Sequence, residues 1–299
     1  MSDINPVDPA AEPVRRVVND INQAHGLRFA VYGRCPGGLS GGAWILTAPD
    51  GRRAVLKWRA NDPTARKARL MPLVNRIHAT GYPTPRWIAA GITDSATSYH
   101  LQEFVPGQTA SPLNAEVAAL LIDVIERQAG LDPDPCHDCS HRVTSYVQDE
   151  SDDGARAFIR GLGEHGWDLL AHFDRLLALH GPVQLPAGDL VHGDFNSCNA
   201  LIHAGQVSGV MDIEQFGSGT RVIDYGWLLR EAYLEDAGQN AARLIRRAGE
   251  AVAGPGALAL CVTATAFDKV WFRANRIPQS LPRVLAGLHQ LADDLSKPL

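Results

Sequence analysis

Hydrophobic and polar residues follow two different patterns along the chain. One consists of short apolar runs, and the other is a longer pattern with helical periodicity. After a helical segment at residues 10 to 25, three β-prone runs lie between Arg28 and Trp58, separated by PGGLSGG and PDG. Short apolar runs between such turns predict antiparallel strands. A helix from Thr64 to Thr80, capped by Asp62, and two more strands, RWIAAGI and SYHLQEFV, follow. The first third of the chain is therefore predicted to be a small sheet with helices.

The rest of the chain, beyond the linker PGQTASPL, has mainly helical periodicity. Two short strands, ALIHA and VSGVMDI, interrupt it. The helices are predicted at residues 114–129, 153–179, 222–237, 239–253, 257–274 and 281–295. This order predicts an α+β fold with a strand-rich N-terminal lobe (residues 1–105) and a larger helical lobe (residues 106–299). A ligand cleft is expected between the lobes.

Composition narrows the class of partner. The 299 residues include 28 basic and 33 acidic side chains, so the net charge of −5 disfavours nucleic acid and favours a cation as the charged partner. No apolar run approaches the roughly 20 residues of a membrane span, and the polar start MSDINPVDPAAEPVRR lacks an apolar signal core. We therefore expect a cytoplasmic protein without a membrane partner. Five cysteines do not make a disulfide framework.

The stretch LVHGDFNSCNALI, residues 190–202, carries the strongest chemical signal. Asp194 is followed five residues later by Asn199, which is the spacing of the kinase catalytic loop, where the aspartate accepts a hydroxyl proton and the asparagine holds a metal ion. Asp212 ends the next apolar strand, where a second carboxylate is placed to hold Mg²⁺ against nucleotide phosphates.

Together, VHGDFNSCNALI and GVMDIEQFGSGTRVIDYGWL resemble the H-G-D-x-x-x-x-N and D-x-E…D pattern of the aminoglycoside phosphotransferase family. The resemblance implies a bilobal protein-kinase-like fold and transfer of a nucleotide γ-phosphate to a hydroxyl of a small molecule. It also implies that Asp194 is the catalytic base and that Asn199 and Asp212 are the metal ligands. His192 and Asp224 would brace the loop.

The N-terminal lobe supplies the expected nucleotide contacts. Lys57 ends a β-prone run, as the phosphate-pairing strand lysine of kinases does. Ser40 and Gly41 lie in a glycine-rich turn in the place of the phosphate-covering loop. The segment YHLQEFVPGQT resembles the family hinge, so backbone groups around Glu103 and Val105 are expected to receive adenine.

One feature departs from the kinase pattern. The helix after Lys57, TARKARLMPLVNRIHATGY, contains no acidic residue to pair with this lysine. Asp62 could take that place, the nucleotide alone could hold Lys57, or the helix could align differently.

Two groups of residues suit more than one interpretation. Carboxylates at Asp149, Glu231, Glu235 and Asp236 suit a polycationic acceptor in a partly desolvated site, or form a solvated helix face. The cysteines and histidines of PCHDCSH, which begins at Pro135, have ligand types that suit zinc, but no second C-x-x-C follows, and an irregular loop is favoured.

These features predict a Mg²⁺-dependent phosphotransferase that uses ATP or GTP and acts as a monomer or homodimer. The favoured acceptor is a cationic antibiotic, an aminoglycoside or a tuberactinomycin-type peptide, and its modification would give resistance. The alternatives are a metabolic kinase for choline, homoserine or a sugar, and a non-catalytic pseudokinase.

Overall fold

The computed structural model describes residues 11–35, 43–62, 64, 66–135, 137–235 and 237–299. The chain divides into two compact units, Met1–Pro106 and Gly107–Leu299. The expected loop residues Ser40 and Gly41 and the acceptor residue Asp236 lie outside the described residues.

The N-terminal unit is a five-stranded antiparallel sheet with helices. Its sheet order is β1-β2-β3-β5-β4, and the predicted three strands of the first half and two of the second are confirmed. The elements are α1 (Ala11–His25), β1 (Ala30–Arg34), β2 (Ala43–Thr47), β3 (Arg53–Arg59), α2 (Arg66–Ala79), β4 (Trp87–Ile92) and β5 (Ser98–Glu103).

The core of this unit lies between α1 and one face of the sheet. Val14, Val17, Val18 and Ile21 of α1 are buried, which is the i, i+3, i+4, i+7 spacing of one helical face. They belong to one cluster with alternate strand residues, including Leu46, Leu56 and Leu101. Burial of one helix face against one sheet face therefore fixes the register of the strands.

The second unit is mainly helical, with short strand pairs at the loop of interest. Its elements are β6 (Gln108–Thr109), α3 (Ala115–Glu126), α4 (Cys139–Gln148), α5 (Ala155–Arg160), α6 (Glu164–Ala178), β7 (Asp189–Val191), β8 (Ala200–His203), β9 (Gln206–Val210), β10 (Gly217–Gly219), α7 (Val222–Leu234), α8 (Gln239–Arg276) and α9 (Leu281–Leu295). Sheets β6-β8-β9 and β10-β7 are separate. A small antiparallel sheet followed by a larger helical part confirms the predicted α+β class.

Two predictions in the helical unit were wrong. The single helix expected at residues 153–179 is two helices, because the chain turns at Gly161–Gly163 and Gly163 has a φ of +78°, which only glycine adopts readily. The irregular loop expected at residues 135–141 instead leads into α4. Asp138 caps this helix by accepting hydrogen bonds from the amides of Ser140 and His141.

The long helix α8 contains the break that the sequence predicts between residues 253 and 257. Ala253 and Gly254 have non-helical backbone angles, and Pro255 follows them. One stretch of α8 is apolar and long enough to cross a membrane, but 61% of that stretch is buried inside the structure. The apolar composition of α8 is explained by its place in the core of the helical unit, where Ala257–Phe267 are buried throughout.

Candidate active site

The loop at residues 192–199 begins at a short strand that is paired on one side. Strand β7 pairs with β10 in antiparallel register, Leu190 opposite Ser218. The loop ends in a 3₁₀ turn, Ser197–Asn199, which continues into β8. The amide of Met211, after β9, donates a 2.6 Å hydrogen bond to the carbonyl of Asn199. Both ends of the loop are thus held by backbone hydrogen bonds.

Asp224 of α7 anchors the start of the loop. Its carboxylate accepts hydrogen bonds from the amides of His192 (2.7 Å) and Gly193 (3.0 Å), and from Nε2 of Gln128 (2.9 Å). Asp224 is completely buried. Burial raises its pKa, and the proximity of His192 and these three donors oppose the rise. The buried carboxylate therefore anchors the start of the loop.

His192 and Gly193 give the loop its shape. Nε2 of His192 lies 2.7 Å from the carbonyl of Met211, and Nδ1 accepts from the amide of Asp194 at 3.3 Å. These partners assign the proton to Nε2. Gly193 has a φ of +82°, and a Cβ there would meet the carbonyl oxygen of Gln215 at 3.1 Å. The turn that presents Asp194 therefore requires glycine.

Asp194 is held by two asparagines. Nδ2 of Asn196 reaches its carbonyl (3.0 Å) and Oδ1 (3.2 Å), and Nδ2 of Asn199 reaches its carbonyl (2.9 Å) and Oδ2 (3.3 Å). Burial raises the pKa of Asp194, and the nearby carboxylate of Asp212 adds to the rise, whereas His192, Arg230 and Asn196 oppose it. A fixed, partly desolvated carboxylate of raised pKa is suited to accept a proton.

The residues expected to hold a metal ion suit magnesium. Asp212 is close enough to Asp194 for the two charges to interact. Asn199 uses its Nδ2 on Asp194, which orients its Oδ1 away from that bond. The carboxylate of Asp212 and the amide oxygen of Asn199 are hard donors, and Mg²⁺ takes one or two carboxylates while keeping several waters. Asp212 has a left-handed backbone conformation, φ +60°, which is uncommon for a residue other than glycine.

The expected acceptor carboxylates have unequal environments. Glu231 differs most from the prediction, because its carboxylate is buried and accepts hydrogen bonds from the amide and the hydroxyl of Ser197. It braces the middle of the loop. Asp149 accepts from the amide of Ser151 at 3.0 Å. Glu235 is half exposed and lies 3.9 Å from Arg273.

Helix α7 thus braces the loop at two points, because Asp224 and Glu231 lie seven residues apart on the same face. Its backbone touches α8 at Gly226, where a Cβ would meet the backbone of Cys261 at 3.0 Å. This close approach fixes α7 against the core.

Two further charged residues near Asp194 were missed from the sequence. Arg230 is 3% exposed, donates to the carbonyl of Thr265 at 2.8 Å and stacks over Trp227 at 4.4 Å. Asp268 of α8 interacts electrostatically with both Asp194 and Arg230, and burial raises its pKa. The pKa of Tyr146 in α4 rises to about 12 through burial and the charge of Asp268.

A sequence signal for Asp268 did exist. No charged residue occurs between Glu250 and Asp268, and Asp268 and Lys269 end this uncharged stretch. Trp271 and Phe272 follow as exposed aromatic residues on the same helix.

In the N-terminal unit, Lys57 lies on β3 opposite His100 of β5 and Ala43 of β2. His100 is buried and stacks on Trp87 with ring centres 4.1 Å apart. Burial, Lys57 and Lys67 lower the pKa of His100 well below its usual value, so the residue beside the lysine is a neutral imidazole. The carboxylate of Asp62 bonds to Thr64 and Ser98, which lowers its pKa to about 2.

The hinge residues occupy the end of β5. The amide of Glu103 donates to the carbonyl of Arg86 at 2.9 Å, and its carboxylate pairs with the Arg86 guanidinium at 2.8 Å on the surface. Val105 follows the strand and is half-buried.

The chain is similar to a known family of enzymes. The family model described as the phosphotransferase enzyme family, APH, matches residues 14–261. No curated protein sequence gives a significant match to the chain.

Solved structures share the fold at low sequence identity. The apo form of a thermostable mutant of aminoglycoside phosphotransferase APH(4)-Ia has a TM-score of 0.64 and 13% identity, over 92% of this chain and 98% of that one. Aminoglycoside phosphotransferase from Alicyclobacillus acidocaldarius has a TM-score of 0.57 and 16% identity, over 98% and 96%. Macrolide 2'-phosphotransferase MphH from Brachybacterium faecium has a TM-score of 0.54 and 17% identity, over 92% and 98%.

The structural likeness supports the fold, and the family model covers most of the chain. The motif residues on which the resemblance depended lie within the matched range. The chain therefore belongs to the APH phosphotransferase enzyme family and is an O-phosphotransferase.

Proposed function

We propose that this protein transfers the γ-phosphate of ATP or GTP, with Mg²⁺, to a hydroxyl of a small molecule. The observation that carries the proposal is the environment of Asp194. Its carboxylate is partly buried, fixed by Asn196 and Asn199, and close to the carboxylate of Asp212. Such a site can orient a hydroxyl and accept its proton as the phosphoryl group is transferred.

The roles of the loop residues follow from their contacts. Asp194 is proposed as the base, and Asn199 and Asp212 as the metal ligands. When bound, Mg²⁺ would neutralise charge on the nucleotide phosphates. Asp224, His192 and Glu231 hold the loop in one conformation. The carboxylate of Asp194 then does not have to change its orientation during transfer.

The N-terminal unit, residues 1–105, is proposed to bind the nucleotide, and residues 106–299 to carry the base and the acceptor. Lys57 would pair with the phosphates, and Ser40 and Gly41 would cover them. The backbone near Glu103 and Val105 would bind the adenine or guanine ring of the nucleotide. The fold relatives include a ternary complex of the APH(4)-Ia mutant with ADP and hygromycin B, and one with AMP-PNP and hygromycin B, which supports a nucleotide co-substrate.

The proposed acceptor is an antibiotic, because the solved relatives are named as aminoglycoside and macrolide phosphotransferases. An aminoglycoside or a tuberactinomycin-type peptide would fit the cationic acceptor expected from the sequence. Asp268 supplies a carboxylate near the base for an acceptor amine, and Asp149, Glu235 and Asp236 remain candidates. Phosphorylation adds negative charge to such a molecule and would give resistance. We place this activity in the cytoplasm, in a monomer or homodimer.

The rivals expected from the sequence are a metabolic small-alcohol kinase and a pseudokinase, and membership of the phosphotransferase family disfavours the second. A coupled assay of ADP and GDP release, with Mg²⁺ and a panel of antibiotics, choline, homoserine and sugars, separates them. Asp194→Asn is expected to lower turnover about 10³-fold, which is the usual range for a general base. Asp132→Asn, at an exposed position of the same unit, is the matched control and should keep full turnover. Turnover with metabolites alone would move the function to metabolism. Nucleotide binding without any turnover would favour the pseudokinase.

A further inference from the structure

Three basic residues lie on α7 and α8, the helices whose backbones approach each other at Gly226. Arg230 belongs to α7, and Lys269 and Arg273 lie one turn apart on α8. The three are close enough for Arg230 and Arg273 to act on the charge of Lys269. Arg230 also interacts with Asp194, so this basic cluster adjoins the proposed base.

The basic cluster is not fully satisfied by the described residues. The Nε atoms of Arg230 and Arg273 are buried and have no hydrogen-bond partner in the described part of the chain. Arg230 is almost completely buried, although its Nη1 reaches the carbonyl of Thr265. Buried guanidinium N–H groups normally have an acceptor, because an unpaired one loses its hydration without replacement.

Carboxylates are also present, and their effect has to be weighed. Glu231 is engaged by Ser197, and Glu235 lies 3.9 Å from Arg273 with about half of its side chain exposed. At Lys269 the two arginines act more strongly than Glu235 and Glu231. Burial and the two arginines together lower the pKa of Lys269 to about 8. At Arg230 the carboxylates of Asp268, Asp194 and Glu231 act in the opposite sense.

We infer that Lys269, Arg273 and Arg230 form a subsite for an oxyanion, so that the acceptor carries a carboxylate or phosphate group near its reactive hydroxyl. This inference rests on the proposed function for its link to the acceptor. With Asp268 next to Lys269, the acceptor side would bind an amphoteric molecule through an amine and an anion. Such an acceptor differs from the purely polycationic one that the sequence suggested, and among antibiotics it disfavours aminoglycosides that lack an anionic group.

The chain is convenient for a direct test, because it contains only four lysines, Lys57, Lys67, Lys269 and Lys297. Reductive ¹³C-methylation gives each lysine an NMR signal, and Lys269→Arg identifies the signal of Lys269. Acetate and inorganic phosphate are titrated into the full chain at constant ionic strength. We expect a saturable shift of the Lys269 signal and a rise of its pKa, since a bound anion stabilises the protonated amine.

Variants separate a built subsite from general ionic effects. Arg273→Gln should weaken acetate binding at least tenfold, and Arg247→Gln, an exposed arginine on the same helix, should leave it unchanged. A shift that does not saturate, or one that is equal in both variants, would overturn the subsite. Phosphate binding that perturbs Lys57 but not Lys269 would assign phosphate to the nucleotide site and leave acetate as the deciding ligand.

Asp236 provides a further control, because an internal carboxylate could take the place of the anion. If Asp236→Asn lowers the pKa of Lys269 and acetate binds only to that variant, the cluster is an internal ion pair and the inference fails. Acetate binding is measured without turnover. A chain that binds acetate at Lys269 but transfers no phosphate would therefore contradict the proposed function and leave the subsite in place.

Discussion

The loop at Asp194 and the strand at Lys57 are held in place by different interactions. Around the loop, buried carboxylates of α7 accept hydrogen bonds from the backbone of the loop, Asp224 at its start and Glu231 at its middle. Around Lys57, the strand ladder sets the position, with His100 directly opposite and stacked on Trp87. The neighbour of the lysine on β5 is neutral, whereas the supports of the loop are acidic.

This difference shows where each position is vulnerable. The loop depends on a few side chains whose carboxylates replace the hydration of buried amides. The strand depends on many backbone hydrogen bonds, so no single side chain determines the position of Lys57. Changes at α7 should therefore disturb the loop more than changes at His100 disturb the strand.

The largest effect is expected from Asp224→Asn. The amide can accept on one side only, so it leaves a buried N–H of His192 or Gly193 without an acceptor, and we expect a loss of about 3 kcal/mol of unfolding free energy. Urea unfolding followed by circular dichroism measures it. Asp123→Asn, on the exposed side of α3, should change stability by less than about 0.5 kcal/mol. Equal stability of the two variants would contradict the anchoring role of Asp224.

Gly193→Ala tests the backbone of the loop instead of its charged support. The left-handed φ costs about 1–2 kcal/mol for alanine, and the new Cβ would also press on the carbonyl of Gln215 at 3.1 Å. Gly205→Ala is the matched control, since Gly205 has a φ of +77° but no heavy atom within 4 Å of the added Cβ. Unfolding of both variants isolates the contact, and an equal loss would show that Gly193 is required for its φ alone.

On the strand side, His100 should make the N-terminal unit sensitive to acid. Its pKa in the folded chain is lowered by burial and by Lys57 and Lys67, with Gln102 opposing, so the unfolded chain takes up the proton first as pH falls. The contribution of neutral His100 to the free energy of unfolding is therefore complete above about pH 6.5. Below that pH the free energy of unfolding decreases, by about 1 kcal/mol between pH 7 and 5.5. Hydrogen exchange of β3 and β5 amides measures this decrease. His100→Gln should flatten the dependence, and an unchanged slope would assign the effect to another group.

The smallest effect is expected from Glu231→Gln, which keeps one acceptor for Ser197. If Glu231 positions the loop, kcat should fall about threefold with unchanged KM, because one charged hydrogen bond becomes neutral. Ser197→Ala removes only the hydroxyl bond and should resemble it. A tenfold rise in KM of the acceptor with unchanged kcat would instead support the acceptor contact expected from the sequence.

The sequence predicted those parts of the fold in which local pattern and tertiary packing agree. The helix of residues 281–295 and the break near Gly254 follow from periodicity and from glycine and proline. Helix α4 was missed, because CHDCSHRVTSYVQ has β-branched and polar residues with weak helix propensity, and only the cap at Asp138 indicates its start.

The candidate site was predictable as far as a motif extends along the chain. Asp194, Asn199 and Asp212 lie within 20 residues of each other, whereas Arg230 and Asp268 reach the loop only through the packing of α7 and α8. For Glu231 the sequence indicates the acidic side chain but not its burial against Ser197, and its role as an acceptor contact stays a prediction.

The contact at Gly226 has a consequence for how the protein can adapt. Gly226 lets the backbones of α7 and α8 touch near Cys261. This contact fixes α7, which carries Asp224 and Glu231, and it precedes the charged and aromatic end of α8 in the chain. If this end of α8 contacts the acceptor, as proposed for Asp268, selection by a new compound can act on Asp268, Trp271 and Phe272 while the catalytic loop is inherited unchanged. Variants selected for a broader range of acceptors should accumulate substitutions beyond Phe267 and retain glycine at position 226.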